Sequence, residues 1–419
     1  MKNVRVTDLG NGLKVASDHM ASVETVSVGV WIEAGSRFEP ASISGASHFL
    51  EHMVFKGTRK RDARAIAEEI ESVGGHLNAH TSREYTAFYA KVLKGDVALA
   101  IDVLADMLQN ATLETNELDR ERTVVIQEIL QSLDTPDDVI FDRFQETAFP
   151  DQPLGRSVLG SPELIGSMDR DVLFDYMRQH YGAPRMLIAA AGAIRHDQLI
   201  ALAEAAFAAL PPAAPATRTA GAYAGGSWRE ERELEQVHLV LGFPSVGYRD
   251  PDFHAVSVLS TLLGGGMSSR LFQEVREKRG LVYSIYSFPS SYSDTGLFGI
   301  YAGTGASEAH EILPLVCAEL VKVGEGIGDA ELARARSQLK AGILMALEST
   351  SARCEQLARQ IMVFGRPIPV EETVAKIEAV DRAAVQRVSR RIFGRRPTLA
   401  ALGPIEGVQD YEAVRAMLP

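Results

Sequence analysis

The chain has 419 residues, 46% of them hydrophobic and 23% charged, with a formal net charge of −12. That length exceeds one ordinary hydrophobic core, so two domains are expected. The acidic balance argues against nucleic acid as the main partner, because phosphate binding needs clustered Lys and Arg, and it suits a basic or peptidic ligand.

The opening, MKNVRVTDLGNGLKVAS, has no continuous apolar region and no Arg-rich amphipathic segment. Neither a signal nor a transit peptide is expected. No apolar run approaches the ~20 residues that span a bilayer, so no membrane partner is expected. The two cysteines, Cys317 and Cys354, lack metal-type spacing. A reducing, cytoplasmic compartment is therefore the expectation.

Residues 25–40, TVSVGVWIEAGSRFEP, read as a strand and its exit. The segment 45–57, GASHFLEHMVFKG, reads as a helix that Gly57 stops. Helical periodicity then marks 61–73, 94–109, 114–133 and 169–180, with an aromatic strand, YTAFYAKVL, among them. A short apolar strand, MLIAAAGAI, reaches Gly192. Residues 211–228, rich in Pro, Ala and Gly, read as a linker.

Beyond the linker the pattern returns. QVHLVLGFPSVGYRDP matches the first strand, GLFGIYAGT the aromatic one, and TLAALGPI the closing one. Tyr301 lies 212 residues after Tyr89, and Gly403 lies 211 after Gly192. The economical account is a duplication: two homologous α+β domains, 1–210 and 229–419, each a mainly antiparallel sheet packed with helices.

The 45–57 segment carries the chemistry. Ala46, Phe49, Leu50 and Met53 form its buried face, while His48, Glu51, His52 and Phe55 share a different stripe. Two His at i and i+4 sit about 5–6 Å apart at Cβ, within reach of one ion. The order H-x-x-E-H is the inverted zinc-peptidase signature, with the glutamate beside the ion as general base. NELDRERTVVIQEIL (116–130) supplies a third ligand: Glu128, with Glu121 one heptad earlier on the same largely apolar face. The competing account pairs both glutamates with Arg120 and Arg122. At the repeat offset, His48, Glu51 and His52 fall on Ser260, Leu263 and Gly264, and 334–344 has no carboxylate. One half keeps every ionisable group and the other keeps none, as a single active centre would require.

These motifs resemble the pitrilysin family of zinc metallopeptidases, and within it the branch of the mitochondrial processing peptidase β-subunit and its bacterial relatives. The 76 residues from His52 to Glu128 match the family's spacing. GGHLNAHTSREYTAFYAKVL (74–93) resembles its substrate-binding strand, and 262–288 the signature of its second domain. The resemblance implies one Zn2+ per chain on His48, His52 and Glu128, Glu51 as base and Glu121 in support. It implies two domains forming a clamshell around a chamber that admits extended, unfolded peptides. Asn78 and Ala79 would pair with the peptide backbone. Arg276 and Tyr283 would reach substrate and scissile carbonyl, against a competing reading of Tyr283 as a core aromatic.

In the processing branch, Phe55 would meet a bulky residue after the cut. Asp138 and Asp142 would hold an arginine before it. Ordinary helix packing for Phe55, and a solvated helix start for the aspartates, compete with those roles. The glycine run Gly264–Gly266 lacks the lysine of a phosphate loop and reads as a tight turn. His76 and His80 read as strand or loop packing. A homodimer is expected, with a heterodimer possible. The alternatives to an Arg-preferring endopeptidase are a general oligopeptidase and a non-catalytic scaffold.

Overall fold

A computed structural model describes residues 3–213 and 217–419. The chain forms two compact units, and they do not follow the sequence halves. Unit 1 comprises Met1–Gln131, Arg156–Thr219 and Met345–Pro369; unit 2 comprises Ser132–Gly155, Ala220–Leu344 and Val370–Pro419.

Unit 1 is built on six strands: β1 (Val4–Asp8), β2 (Lys14–His19), β3 (Thr25–Ile32), β4 (His76–Thr81), β5 (Thr86–Leu93) and β6 (Met186–Gly192). Their spatial order is β1-β2-β6-β3-β5-β4, antiparallel throughout except for the parallel β2–β6 pair. Unit 2 has β7 (Gly226–Glu231), β8 (Val237–Ser245), β9 (Val282–Ser291), β10 (Gly296–Thr304) and β11 (Thr398–Gly403), in the order β7-β11-β8-β10-β9. Again one pair, β7–β11, is parallel and the rest antiparallel. Without the extra edge strand β1, the two sheets share one topology.

The duplication extends to backbone detail. Gly192 and Gly403 end equivalent strands at φ +132° and +116°. A Cβ at either would run into a carbonyl of the neighbouring strand, Thr25 O at 2.2 Å and Gln236 O at 2.4 Å. Only glycine fits both the dihedral and the approach.

One face of the unit 1 sheet carries the large core. Val26, Val28, Val30, Phe88 and Ile188 pack there against helices that include Ala46–Val54, Val97–Asn110 and Arg170–His180. The other face, with Trp31, Ala87, Leu187 and Ala189, is covered by Cys354, Leu357, Ala358 and Ile361 of the Thr350–Phe364 helix. In unit 2 the equivalent face is covered by Val139, Ile140, Phe144 and Ala148 of the Pro136–Ala148 helix. The compact units therefore differ from the expected sequence halves, 1–210 and 229–419. Each unit takes its back-face helix from the other sequence half, because an apolar stripe is buried wherever a complementary sheet face lies open. The expected linker also ends early, since β7 begins at Gly226; its residues 214–216 lie outside the described residues.

Candidate metal and catalytic centre

The Ala46–Val54 helix begins at Gly45, whose φ of +97° and 2.7 Å approach of a would-be Cβ to Leu159 O both demand glycine. Glycine has no side chain with which to cap the helix. Buried Glu39 does so instead, accepting from the Gly45 N–H at 2.8 Å and the Ser47 N–H at 2.7 Å. Burial raises the Glu39 pKa, while the hydrogen bonds from Ser47 and Gly45 oppose it. Ala46, Phe49, Leu50 and Met53 are fully buried, as their spacing predicts. The helix ends two residues before the expected stop: the Phe55 and Lys56 N–H groups close onto His52 O and Met53 O, and Gly57 bridges to Asp62 instead.

His48 and His52 stand on one stripe with ring centroids 4.6 Å apart. Both Nε2 atoms face one oxygen of Glu128, at 3.7 Å from His48 and 3.5 Å from His52. These three form the one group of His, Cys, Asp or Glu donors among the described residues whose ligand atoms lie within 4.8 Å of one another. Ligands about 2.1 Å from a tetrahedral zinc would stand about 3.4 Å apart, so the observed contacts sit close to a coordination edge. The donor set, two imidazoles and a carboxylate, suits zinc.

His52 Nδ1 lies 2.9 Å from Glu121 Oε1. A carboxylate accepts, so Nδ1 carries the proton and Nε2 presents its lone pair to the centre. Lys56 Nζ donates to the other Glu121 oxygen at 2.7 Å. The competing arginine account fails here. Arg120 pairs with Glu117 and Arg122 with Asp119, and Arg122 also reaches two backbone carbonyls. His48 Nδ1 is buried with no hydrogen-bond partner among the described residues, so packing holds that side of the ring. Glu51 accepts from the Thr81 hydroxyl at 2.6 Å.

Burial, with help from neighbouring His52, pushes the His48 pKa down to about 4, leaving a neutral imidazole ready to ligate. Burial would also lower His52, but the Glu121 hydrogen bond and the surrounding carboxylates outweigh it, and the pKa rises. Glu121 is raised by burial and pulled below its usual range by His52 and Lys56. Burial raises Glu51 despite the Thr81 hydrogen bond, the direction that suits a base working near neutral pH.

Asn78 and Ala79 lie on β4, which pairs only with β5 and so forms a sheet edge. The Asn78 side-chain Oδ1 accepts from the Ala79 N–H at 2.8 Å. Phe55 is half-buried against the core, its ring 6.3 Å from that of Phe88. His80 lies half-buried beside Tyr85 and Tyr89, whereas His76 is exposed on the edge strand.

In unit 2, Arg276 sits over the Tyr283 ring at 5.5 Å and over Phe272 at 4.7 Å. Tyr283 is 78% exposed, so the core-aromatic reading does not hold. Asp138 is exposed and Asp142 half-buried on the Pro136–Ala148 helix. Beside them Asp137 accepts from the Tyr301 hydroxyl at 3.0 Å and faces His238 at 3.3 Å. Ser260, in place of His48, bonds Ser287, and a Cβ on Gly264, in place of His52, would lie 2.3 Å from the Ser287 nitrogen. Backbone of β9 fills the space that a second histidine would need.

Three residues at the centre escaped sequence reasoning: Lys56, Thr81 and Glu39. Lys56 had a signal, since it continues the 48–52 stripe by one more turn. Thr81 and Glu39 had none, because each arrives from an element whose placement the sequence does not specify.

Residues 14–162 match the description Insulinase (Peptidase family M16), and residues 167–339 match Peptidase M16 inactive domain. The chain is 41% identical to an uncharacterized zinc protease of Streptomyces coelicolor, covering 97% of this chain and 91% of that one. It is 40% identical to a probable mitochondrial-processing peptidase subunit beta of Arabidopsis thaliana, covering 98% and 80%. The fold matches a protease from Helicobacter pylori with a TM-score of 0.88 at 22% identity, over 96% of this chain and 99% of that one. With two imidazoles and a carboxylate converging in one half and their counterparts missing from the other, the chain belongs to the insulinase family, peptidase family M16.

Proposed function

We propose that this chain is a zinc-dependent endopeptidase that cuts extended, unfolded peptides, with a preference for arginine near the cut. The observation that carries the reading is the meeting of His48 Nε2, His52 Nε2 and Glu128 Oε2 beside a separate half-buried carboxyl, Glu51. A zinc ion held by the three would act as a Lewis acid and make a water molecule a better nucleophile at neutral pH.

The chain's own residues do the rest. Glu51 takes the proton from the attacking water and delivers it to the leaving amine, with Thr81 fixing which carboxyl oxygen is free to do so. Glu121 keeps the His52 ring in its ligating tautomer. The β4 edge around Asn78 and Ala79 takes up the peptide backbone as an added strand, which gives affinity with little demand on sequence. Arg276 and Tyr283 donate to the substrate carbonyl, and Tyr283's exposure supports that role. Phe55 meets the residue after the cut, and Asp138 with Asp142 holds the arginine before it. An enclosing chamber, one zinc per chain, a homodimer and a cytoplasmic setting complete the proposal.

The test is digestion of a mixed peptide library by wild type and by Glu51→Gln, read by mass spectrometry with zinc content measured alongside. Turnover should fall by at least ~10²–10⁴-fold with zinc retained, because the task of Glu51 is proton transfer. Turnover surviving in Glu51→Gln would sink the assignment. Asp138→Asn with Asp142→Asn should erase the arginine preference and spare overall cleavage; an unchanged profile would favour a general oligopeptidase.

A further inference from the structure

We infer that Lys56 is a positioning residue for the metal centre, acting through Glu121 to set the zinc affinity of His52. The inference rests on the zinc-peptidase reading above.

The two oxygens of Glu121 have different partners. Oε1 takes the His52 Nδ1 proton at 2.9 Å, and Oε2 takes the Lys56 ammonium at 2.7 Å. The Glu121 side chain is only 8% exposed. An ionised carboxylate at such depth is costly unless a cation meets it. Lys56 is the one lysine or arginine paired with it among the described residues, since Arg120 and Arg122 are engaged elsewhere. By holding Oε2, the ammonium also stops the carboxylate from turning, so Oε1 stays in line with the imidazole.

This hold matters because it is the only hydrogen bond on the Nδ1 side of the histidine pair among the described residues. His48 Nδ1 has no partner there, so packing holds that side of its ring. His52 is less enclosed, and its ring plane follows Glu121. Ligand orientation by such outer partners ordinarily accounts for 10–100-fold in metal affinity.

The adjoining backbone holds Lys56 in place. Its own N–H bonds Met53 O. Two residues on, Thr58 begins a turn whose N–H reaches Arg61 O at 2.7 Å. Buried Arg61 then ties that turn to Asp106 at 2.9 Å and to Glu69 at 3.0 Å. The lysine thus leaves a backbone anchored on both sides, one helical turn beyond His52.

The experiment measures zinc affinity of the full-length chain by competition with a fluorescent chelator, for wild type, Lys56→Met, Lys56→Arg, Glu121→Gln and Lys56→Met/Glu121→Gln. Thermal melts of the metal-free proteins report folding separately. Lys56→Met should weaken zinc binding on the order of 10–100-fold while the metal-free protein still melts cooperatively, and Lys56→Arg should recover most of it. In the Glu121→Gln background, adding Lys56→Met should change affinity less than about two-fold, because the path is already broken. Wild-type affinity in Lys56→Met overturns the proposal. So does an undiminished loss in the Glu121→Gln background, or an arginine variant as weak as the methionine one. A wild type that binds no zinc would instead overturn the zinc-peptidase reading itself.

Discussion

His180 lies with Nδ1 2.5 Å from the Arg185 guanidinium and its ring 4.2 Å from that of Tyr176. Tyr176 in turn bonds Ser47, at the start of the helix that carries His48 and His52. Burial, and then the Arg185 charge, push the His180 pKa down to about 4. A histidine depressed on folding contributes stability that is complete above its unfolded pKa near 6.5 and is lost as pH falls towards 4, since the unfolded chain binds the proton first. The contribution at stake is about 3 kcal/mol. Urea unfolding of the metal-free protein should therefore show wild type losing about that much more than His180→Asn between pH 7 and pH 4. Equal losses would mean that His180 is not held neutral. At this scale the sequence was legible where a period carried it: His48, Glu51 and His52 fall on one stripe, and Glu128 comes at the family spacing. Lys56 stands on the same stripe, but a lysine there reads as solvated until its partner is seen. Glu39 was hidden for another reason, since nothing local says that a carboxylate six residues upstream will cap a helix whose N-terminal residue is glycine.

Elements were legible as elements and less so as neighbours. All the strands read from the sequence form, and the helical segments at 61–73, 94–109, 114–133 and 169–180 form within a few residues of their predicted ends. The Pro136–Ala148 and Thr350–Phe364 helices each present an apolar stripe, and a stripe says that a face is buried without saying on which sheet. They occupy equivalent places in the two repeats, and each completes the unit of the opposite half. Leu357→Ala should accordingly cost about 3 kcal/mol, as for other leucines deleted from a packed core. Its signature is directional: hydrogen exchange should accelerate in β2, β3 and β6 and stay at wild-type rates in β8, β10 and β11. The reverse pattern would assign the helix to unit 2.

For the whole molecule, the duplication bears on why the described residues hold one such cluster of ligands. Apart from the extra edge strand β1, the two sheets repeat each other strand for strand, down to glycines at Gly192 and Gly403 that admit no side chain. What differs is the space above the sheet edge. Unit 1 leaves room for His52 over β4, whereas in unit 2 β9 comes so close that Gly264 must lack a side chain. In the second repeat, backbone occupies the space that the side chain of a second ligand would need. Gly264→Ala should then be strongly destabilising, by about 3 kcal/mol, because its Cβ would meet the Ser287 nitrogen at 2.3 Å and the Tyr286 carbonyl carbon at 2.9 Å. Gly266→Ala, two residues on, meets nothing nearer than the Gln338 amide at 3.5 Å and should change stability by under about 0.5 kcal/mol. Urea midpoints at a common slope compare the two. Zinc analysis of the same preparations should find one equivalent in wild type and in Gly266→Ala, falling to none in His48→Ala/His52→Ala. Two equivalents in wild type, or a Gly264→Ala protein as stable as its neighbour, would mean that the second repeat still has room for a metal site.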